Sequence, residues 1–501
     1  MSVPALSVSS SPAIESSADV LVVGALSSGS AAVLHAVSGF ESLGDHFASI
    51  GVTGAADQLV RVPGSVGSAG SIAVIGIGRQ ADENSLRNAA GSAVRQLAGA
   101  GTVAFAFPTS SASDVEAILE GAALGGYTFS AYRSSTLDSV KPGVTAVTVH
   151  LADTVGDADS FAAAVSRSVI VAEEVARVKD LVNTPPSDLY PETLAAAAAD
   201  AVAELPIEVT TWDDDALAAD GFGGILGVGQ GSDRGPRLVK LAYDPSGATK
   251  HLALVGKGIT FDTGGLSLKP PASMVGMKYD MTGAASVLAV VAAVARLELP
   301  VRVTAWLCIA ENMPSGSALR PNDVLRIRGG KTVEVTNTDA EGRLVMADGL
   351  VAASEEHPDV IIDIATLTGA AVVALGKRYT GVMGDDVVVD QVLDAARGAG
   401  EPMWAMPFAE ELTSVLRSDV ADLANAKLGN TAGGMLVAGV FLREFIGKQS
   451  DADGAPTIPW AHLDIAGPAN NPDSPYGFTA GGPSGVGVRT LVKVAEQIGR
   501  P

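Results

Sequence analysis

Short runs of β-branched and other apolar residues alternate with alanine-rich stretches along most of this 501-residue chain. The apolar runs favour β-strands, whereas the alanine-rich stretches favour helices. Before residue 150 the runs lie at 20–23, 72–75, 103–106 and 146–149. Strands that alternate with helices are typical of α/β domains, in which helices cover the faces of a sheet. The alternation therefore predicts an α/β fold.

Two consecutive prolines, Pro185 and Pro186, interrupt this pattern. A stretch rich in Ala, Val and Arg at residues 160–182 predicts a long helix, which must end before the prolines because proline cannot continue a helical hydrogen-bond ladder. Beyond them the sequence predicts a helix at 191–205 and strands at 238–241, 251–255, 301–306 and 360–364.

Chain length also favours more than one domain, because a domain usually holds ~100–200 residues. We predict an N-terminal α/β domain at 1–165, a linker helix with its proline-rich turn at 166–190, and a larger C-terminal α/β domain at 191–501. The larger domain should hold a central mixed sheet flanked by helices, with the chemistry of the chain. The smaller one is expected to serve assembly.

Composition restricts the class of protein. Hydrophobic residues make up 47% of the chain and charged residues 18%, a balance typical of a large buried core. The longest apolar stretch, 284–295, stops at Arg296, short of the ~20 residues that cross a bilayer, so we predict a buried helix and no membrane association. Residues 1–20 lack the pattern of a secretory signal, and a cytoplasmic location is expected. The single cysteine, Cys308, excludes an internal disulfide.

The chain is strongly acidic, with a formal net charge of −23. Such a charge repels phosphate backbones and disfavours nucleic-acid binding. Part of the negative charge is better explained by bound cations, because a site for two divalent metals needs several carboxylates close together.

A glycine-rich segment at residues 256–269 follows the predicted strand 251–255 and carries Lys257, Asp262 and Lys269. We expect a loop here. A phosphate-binding loop is one alternative, but the segment lacks the Gly-Lys-Ser/Thr ending of a Walker A sequence.

Two further polar clusters lie at predicted helix starts. Asp280 precedes the apolar helix 284–295, and the octapeptide Asn-Thr-Asp-Ala-Glu-Gly-Arg-Leu at 337–344 precedes a helix that runs to about Glu355. Helix capping would explain either cluster alone. A single metal site shared by these two clusters and the segment 256–269 is the simpler explanation. Its carboxylates, Asp262, Asp280, Asp339 and Glu341, would balance the charge of two divalent cations.

The octapeptide, together with the spacing of the lysines and carboxylates before it, resembles the leucyl aminopeptidases, the cytosol aminopeptidase family of dinuclear metallopeptidases. The resemblance covers roughly residues 165–490, and the N-terminal part matches only in general type. It implies two divalent metal ions per subunit, Mn²⁺ or Zn²⁺, with Asp262 and Glu341 bridging them. Asp339 would complete one site, and Lys257, as a neutral amine, would complete the other with Asp280.

The resemblance also implies the remaining parts of the site. Lys269 and Arg343 would be catalytic, with Arg343 holding a bicarbonate ion that acts as general base. The substrates would be peptides with a free N-terminus, from which leucine and other hydrophobic residues are removed. The side-chain pocket would be formed by Met277, Thr366, Leu367 through its carbonyl, Gly369 and Ala466. The assembly would be a homohexamer.

Alternatives remain for several of these residues. Met277 and Ala466 also suit a plain apolar core. The six histidines lack the i, i+4 spacing of a zinc helix, although His462 lies near the proposed pocket and is expected to support it. A DNA-binding architectural protein and a metal-binding scaffold without turnover are the competing functions. The acidic charge disfavours the first, and the presence of Lys269 and Arg343 disfavours the second.

Overall fold

The computed structural model describes residues 3–29, 31–63, 67–152 and 157–500. These residues form two compact units, one comprising Met1–Ala176 with Asn471–Gly482 and the other Arg177–Asn470 with Pro483–Pro501. The assignment of an assembly domain, a linker and a catalytic domain to ranges of the chain stays a prediction.

The first unit is an α/β layer structure. Its strands are β1 (Ala5–Ser9), β2 (Val20–Ser28), β3 (Ala31–His35), β4 (Leu59–Pro63), β5 (Ser71–Gly78), β6 (Thr102–Phe105) and β7 (Ala146–His150), and its helices are α1 (Glu41–Gly44), α2 (Phe47–Ile50), α3 (Glu83–Gln96) and α4 (Ala112–Gly125). The described strands pair in the order β1-β7-β6-β2-β5-β4, with β3 added antiparallel to β2. The four strands predicted in this part of the sequence are confirmed.

A long helix, α5 (Ala162–Asn183), leads from this part of the chain into the second unit. It matches the predicted helix 160–182 and ends just before the two prolines. The bounds confirm that the proline pair terminates the helix.

The second unit is also α/β. Its strands are β8 (Ile207–Trp212), β9 (Arg237–Tyr243), β10 (His251–Asp262), β11 (Arg302–Asn312), β12 (Val324–Arg326), β13 (Thr332–Glu334), β14 (Val360–Ala365), β15 (Thr380–Gly384), β16 (Met403–Ala405), β17 (Leu423–Ala424), β18 (Trp460–Asp464), β19 (Asn470–Asn471) and β20 (Gly482–Pro483). Its helices are α6 (Pro191–Val202), α7 (Asp214–Ala219), α8 (Gly223–Gly229), α9 (Pro271–Met274), α10 (Thr282–Arg296), α11 (Gly342–Ser354), α12 (Gly369–Leu375), α13 (Asp386–Ala399), α14 (Gly434–Arg443) and α15 (Val488–Ile498).

The large sheet of this unit is mixed, as predicted. Its described strands follow the order β16-β15-β18-β14-β10-β11-β9-β8. The central strands β18, β14, β10 and β11 are parallel to one another, whereas β9 and β15 run antiparallel to their inner neighbours. The carboxyl ends of the parallel strands therefore meet at one edge, where ligands usually bind.

Helices cover both faces of this sheet. A Cβ on Gly256 or Gly258 would touch Ala284 of α10, whereas the helix α11 brings Gly349 against Val255 and Cys308. Successive strand residues point to opposite faces, so α10 and α11 lie on opposite sides of β10. The helical stretch Met277–Arg296 is long and apolar enough to cross a membrane, but 83% of its most apolar window is buried within the protein. It is the core helix that the sequence predicted.

One local prediction was wrong. The segment from Gly256 was expected to be a loop, but β10 continues through Lys257 to Asp262 and pairs with β11 along its length. The reason is tertiary: neighbouring strands satisfy the backbone of a segment whose glycine content favours a turn. The prediction of strands at 238–241, 251–255, 301–306 and 360–364 is confirmed.

Candidate metal centre and active site

Lys257 lies within β10, and its side chain is almost fully buried. Two glycines make the room for it. A Cβ on Gly342 would lie 2.6 Å from Lys257 Cε and 2.8 Å from Nζ, and a Cβ on Gly283 would lie 2.8 Å from the Lys257 backbone nitrogen. These glycines allow the first turns of α10 and α11 to approach the strand closely. Gly283 and Gly342 therefore allow close packing around a buried lysine. Because Lys257 lies within a strand and faces carboxylates, the phosphate-loop alternative is disfavoured.

Carboxylates from two other segments surround the Lys257 ammonium. Nζ lies 2.7 Å from Asp280 Oδ2 and 2.9 Å from Glu341 Oε1, and it donates a hydrogen bond to the carbonyl of Thr366 at 3.0 Å. Asp280 belongs to a 3-10 helix, Met277–Met281, and the N-cap residue of α10 is Met281. Glu341 is the N-cap residue of α11, but its side chain makes no capping hydrogen bond. Side-chain capping therefore does not explain either carboxylate.

Lys269 joins the remaining two predicted ligands. Its Nζ lies 2.8 Å from Asp262 Oδ2 and 2.5 Å from Asp339 Oδ1. Asp339 lies in the ligand loop, which we define as residues 336–341, between β13 and α11. The structure thus brings the predicted metal ligands and Lys269 to one edge of the large sheet.

The arrangement of oxygens suits a cation. One oxygen each from Asp262, Asp280 and Glu341 lies within 4.8 Å of the others, and all three residues are buried. Glu341 Oε2 is buried and has no hydrogen-bond partner in the described part of the chain. A buried carboxylate oxygen without a donor is costly unless a cation binds it. The residues present therefore fit a metal ion.

Electrostatics point the same way. Burial favours the neutral amine of Lys257, but Asp280, Glu341 and Asp262 outweigh it and raise the pKa of the ammonium above its ordinary value. Burial, together with Asp262 and Glu341, raises the pKa of Asp280 to about 8 although Lys257 opposes it. The pKa of Glu341 is also raised, by burial and then by Asp262. Burial is the largest cause of both raised carboxylate pKa values, so these groups lack the solvation that their charged forms need, and a bound cation would supply it.

Arg343 lies in the first turn of α11 and is buried. Its Nη1 donates to the carbonyl of Asn425 at 2.8 Å, and its guanidinium lies 5.9 Å from the Phe441 ring centre. Burial lowers its pKa to about 10, against the opposite influence of Glu341 and Asp464. Nε is buried without a hydrogen-bond partner among the described residues. An unpaired N–H on a buried cation suits a small anion.

A cavity of about 780 Å³ opens beside these groups within the second unit. Asp339 and Arg343 line it together with the predicted pocket residues Leu367 and Gly369. Its remaining wall is largely apolar and includes Val373, Met406, Val415, Leu428 and Met435. The cavity therefore combines charged groups at one end with apolar surface for a side chain.

The other predicted pocket residues, Met277, Thr366 and Ala466, lie outside the lining of this cavity. Met277 belongs to the 3-10 helix of Asp280, and the Thr366 hydroxyl donates to the Asp280 carbonyl at 3.1 Å. Ala466 follows β18, and its amide donates to Asp464 Oδ1 at 3.1 Å. The pocket role of all five residues stays a prediction.

Sequence analysis did not identify Asp464 or Asp363. Asp464 is fully buried and accepts hydrogen bonds from the Leu367 amide at 3.3 Å and the Thr368 hydroxyl at 2.7 Å, so it fixes the turn after β14. Asp363 accepts from His462 Nδ1 at 2.5 Å and from the Trp460 indole at 2.7 Å. His462 and Asp363 thus form a buried hydrogen bond, and the support of the pocket by His462 stays a prediction. The apolar residues around 460–465 could have indicated that Asp464 lies in a buried strand.

Comparison with known proteins agrees with this geometry. Residues 176–492 match the catalytic domain of the cytosol aminopeptidase family, and residues 20–136 match its N-terminal domain. The chain belongs to the cytosol aminopeptidase family. It is accordingly a hydrolase, a metal-dependent aminopeptidase that acts on peptides.

Individual relatives cover the whole chain. A protein named probable cytosol aminopeptidase from Clavibacter michiganensis subsp. michiganensis is 61% identical over 100% of both chains. One of the same name from Leifsonia xyli subsp. xyli is 59% identical over 99% of both. Among solved structures, the bottromycin maturation enzyme BotP in complex with Mn is 35% identical, with a TM-score of 0.83 over 97% of this chain and 100% of that one. The predicted family and two-domain α/β fold are confirmed.

Proposed function

We propose that this family member is a dinuclear leucyl aminopeptidase, which removes leucine and other hydrophobic residues from the N-termini of peptides. The observation that carries the proposal is the convergence of Lys257 and carboxylates from three segments, with Glu341 Oε2 buried and unpaired among the described residues.

The ligand assignment is the one that the family resemblance implies. Asp262 and Glu341 would contribute to holding both ions, and the trio that they form with Asp280 supports this role. Asp339 would complete one site, and Lys257 with Asp280 the other. Mn²⁺ and Zn²⁺ both suit carboxylate and amine ligands, and the related BotP structure contains Mn. Bound there, two cations would supply Lewis acidity and a water of lowered pKa.

The chain's own catalytic groups would be Lys269 and Arg343. The Lys269 ammonium, which contacts Asp262 and Asp339, would donate to the oxygen of the scissile carbonyl when those two carboxylates hold metal. Arg343 would hold bicarbonate through the Nε–H that lacks a partner within the described chain. A bicarbonate there would supply a general base, which suits a site whose carboxylates are all assigned to metals.

Substrate selection would depend on the cavity and on the acidic cluster beside it. The free α-amino group of the substrate would be held by a metal ion bound at the cluster, whereas an acylated nitrogen has no lone pair available to a metal. The apolar wall with Val373, Met406 and Leu428 suits a hydrophobic side chain, and Met277, Thr366, Leu367, Gly369 and Ala466 would complete the pocket. We also propose a cytoplasmic location and a homohexamer for this chain.

Substrate comparison tests the proposal. We expect Mn²⁺-loaded protein to hydrolyse Leu-p-nitroanilide with a higher kcat/KM than the alanyl, glutamyl and lysyl analogues. N-acetyl-Leu-p-nitroanilide should be cleaved at least about 100-fold more slowly, because acylation removes the free amine that the metal site would hold. Equal cleavage of free and acetylated substrates would contradict an aminopeptidase site, and a preference for alanine would contradict the leucyl assignment.

A further inference from the structure

Asn425 is a fully buried residue that directly follows the short strand β17. Its side-chain oxygen accepts from the amides of Thr336 at 2.8 Å and Asn337 at 3.3 Å. Its side-chain nitrogen donates to the carbonyls of Asn337 at 2.7 Å and Ala340 at 3.3 Å. A single amide thus satisfies backbone groups at both ends of the ligand loop.

The backbone of Asn425 makes two further contacts. Its amide donates to the carbonyl of Glu334 at 2.9 Å, which continues the pairing of β13 with β17. Its carbonyl accepts from Arg343 Nη1 at 2.8 Å. One residue therefore contacts both the loop that carries Asp339 and the arginine assigned to catalysis.

The ligand loop depends on such contacts, because it lies between a strand and a helix and has no ladder of its own. A buried backbone group that loses its partner costs about 1–3 kcal/mol, so removal of the Asn425 amide would allow the loop to shift toward other partners. Partners that orient metal ligands typically change metal affinity by about 10–100-fold when they are removed.

We propose that Asn425 is a positioning residue, which holds the ligand loop so that Asp339 and Glu341 face Asp262 and Lys257, with Arg343 fixed beside them. The inference rests on the proposed metal site and assigns a residue that neither touches substrate nor ligates metal. It makes metal affinity depend on an amide more than 80 residues away in sequence from the ligands.

Asp422 offers a matched control on the same strand pair. Its carboxylate accepts from the amide and the hydroxyl of Thr332, both at 2.8 Å, at the opposite end of β13 and β17. It is exposed, and these side-chain contacts are made with Thr332 and not with the ligand loop. Asp422→Ala therefore removes a side-chain clamp from the same strand pair without touching the loop.

The test is calorimetric titration of Mn²⁺ into metal-free wild type, Asn425→Ala, Asn425→Asp and Asp422→Ala, each checked for folding by circular dichroism. Asn425→Asp keeps the acceptor for Thr336 and Asn337 but loses both donations to the loop carbonyls. We expect the Kd for Mn²⁺ to rise at least about tenfold in both Asn425 variants and to stay within about twofold in Asp422→Ala.

The proposal is overturned if the Asn425 variants bind Mn²⁺ as tightly as the wild type, or if Asp422→Ala weakens Mn²⁺ binding by the same factor. It is also overturned if both Asn425 variants are unfolded while Asp422→Ala folds, because Asn425 would then be required for folding and not for positioning the ligands. A wild type that binds no Mn²⁺, Zn²⁺ or Co²⁺ would instead contradict the proposed metal function itself.

Discussion

At the scale of single residues, Lys269 has two roles that an experiment can separate: it contacts the metal ligands, and in the proposed reaction it contacts the substrate. Its ammonium now neutralises Asp262 and Asp339, and in the proposed reaction it donates to the substrate. Lys269→Met keeps the stem and removes the charge. Because the variant leaves more negative charge around the metals, their affinity should not fall, whereas kcat should drop by about 10²–10³-fold, as for other lost oxyanion donors.

Metal titration combined with steady-state kinetics checks this prediction. Arg397→Ala, which removes an exposed cation on α13, serves as the control and should leave both quantities unchanged. Weaker Mn²⁺ binding in Lys269→Met would show that the lysine supports the ligands and would count against a role in the reaction.

The carboxylates that sequence analysis identified lie in polar clusters near predicted strand ends or helix starts. The ligand role of Lys257 and the division of the ligands between two ions were implied by the family resemblance. Asn425 could not be identified from the sequence, because a single asparagine in a polar stretch acquires meaning only when the fold brings it to residues 336–340.

At the scale of elements, the contact between β10 and the start of α11 is tight enough to test. A Cβ at Gly342 would meet the end of the Lys257 side chain, which is held by Asp280 and Glu341. The end of a flexible chain can move, so Gly342→Ala should displace the amine and leave the fold intact. We expect Mn²⁺ affinity to weaken about tenfold with little change in the free energy of unfolding.

Gly369→Ala is the matched control, because Gly369 also begins a helix and its Cβ would meet no atom within 4 Å. Titration of Mn²⁺ and urea unfolding should show no loss of affinity for this variant. If Gly342→Ala binds metal as tightly as Gly369→Ala, Lys257 is not held where the ligand assignment requires.

The start of β10 carries a separate pH dependence. His251 is buried, and its Nε2 lies 3.0 Å from the Thr304 hydroxyl. Burial, followed by Arg302, lowers its pKa from 6.5 to about 4, while Asp359 opposes the shift and Lys240 adds to it. The folded state therefore favours neutral histidine. The resulting stability is present above pH 6.5 and is lost as the pH falls toward 4.

Urea unfolding at pH 7.5 and pH 4.5 measures this contribution. His251→Gln removes the titrating ring, so its free energy of unfolding should fall less between the two pH values than that of the wild type, by about 2 kcal/mol. The carboxylate of Glu356 lies 3.8 Å from His251 Nε2 and would reduce this difference by stabilising the protonated ring. An equal fall in the free energy of unfolding for both proteins would contradict the prediction.

Strand positions were largely predictable because apolar runs reflect burial in the sheet. The extent of β10 was not, since Gly256 and Gly258 favour a turn locally and are explained only by the approach of α10. β18 was also missed, although it carries His462 and Asp464 and pairs with β14.

At the scale of the whole molecule, the sequence indicated two α/β parts but not that residues 471–482 belong with the N-terminal unit. In that unit the Gly477 amide donates to Asp57 at 2.7 Å, a contact across 420 residues for which no local pattern exists. Contacts of such separation follow from the folded topology and not from periodicity.

The assembly is the prediction that belongs to this scale. Each chain has a mass of 50.4 kDa, so a homohexamer should give about 300 kDa by light scattering or native mass spectrometry. A mass that stays near that of one chain at micromolar concentration would contradict the hexamer, without bearing on the site.

The central claim is that a buried carboxylate cluster holds the metals that make this chain an aminopeptidase. The most direct measurement is release of p-nitroaniline from Leu-p-nitroanilide by the wild type with Mn²⁺, by the wild type with chelator, and by Glu341→Gln with Mn²⁺. We predict metal-dependent turnover that chelator abolishes and that Glu341→Gln lowers by about 10³-fold or more, because the neutral amide cannot replace the bridging charge. Turnover that survives both chelation and the loss of the Glu341 carboxylate would contradict the account.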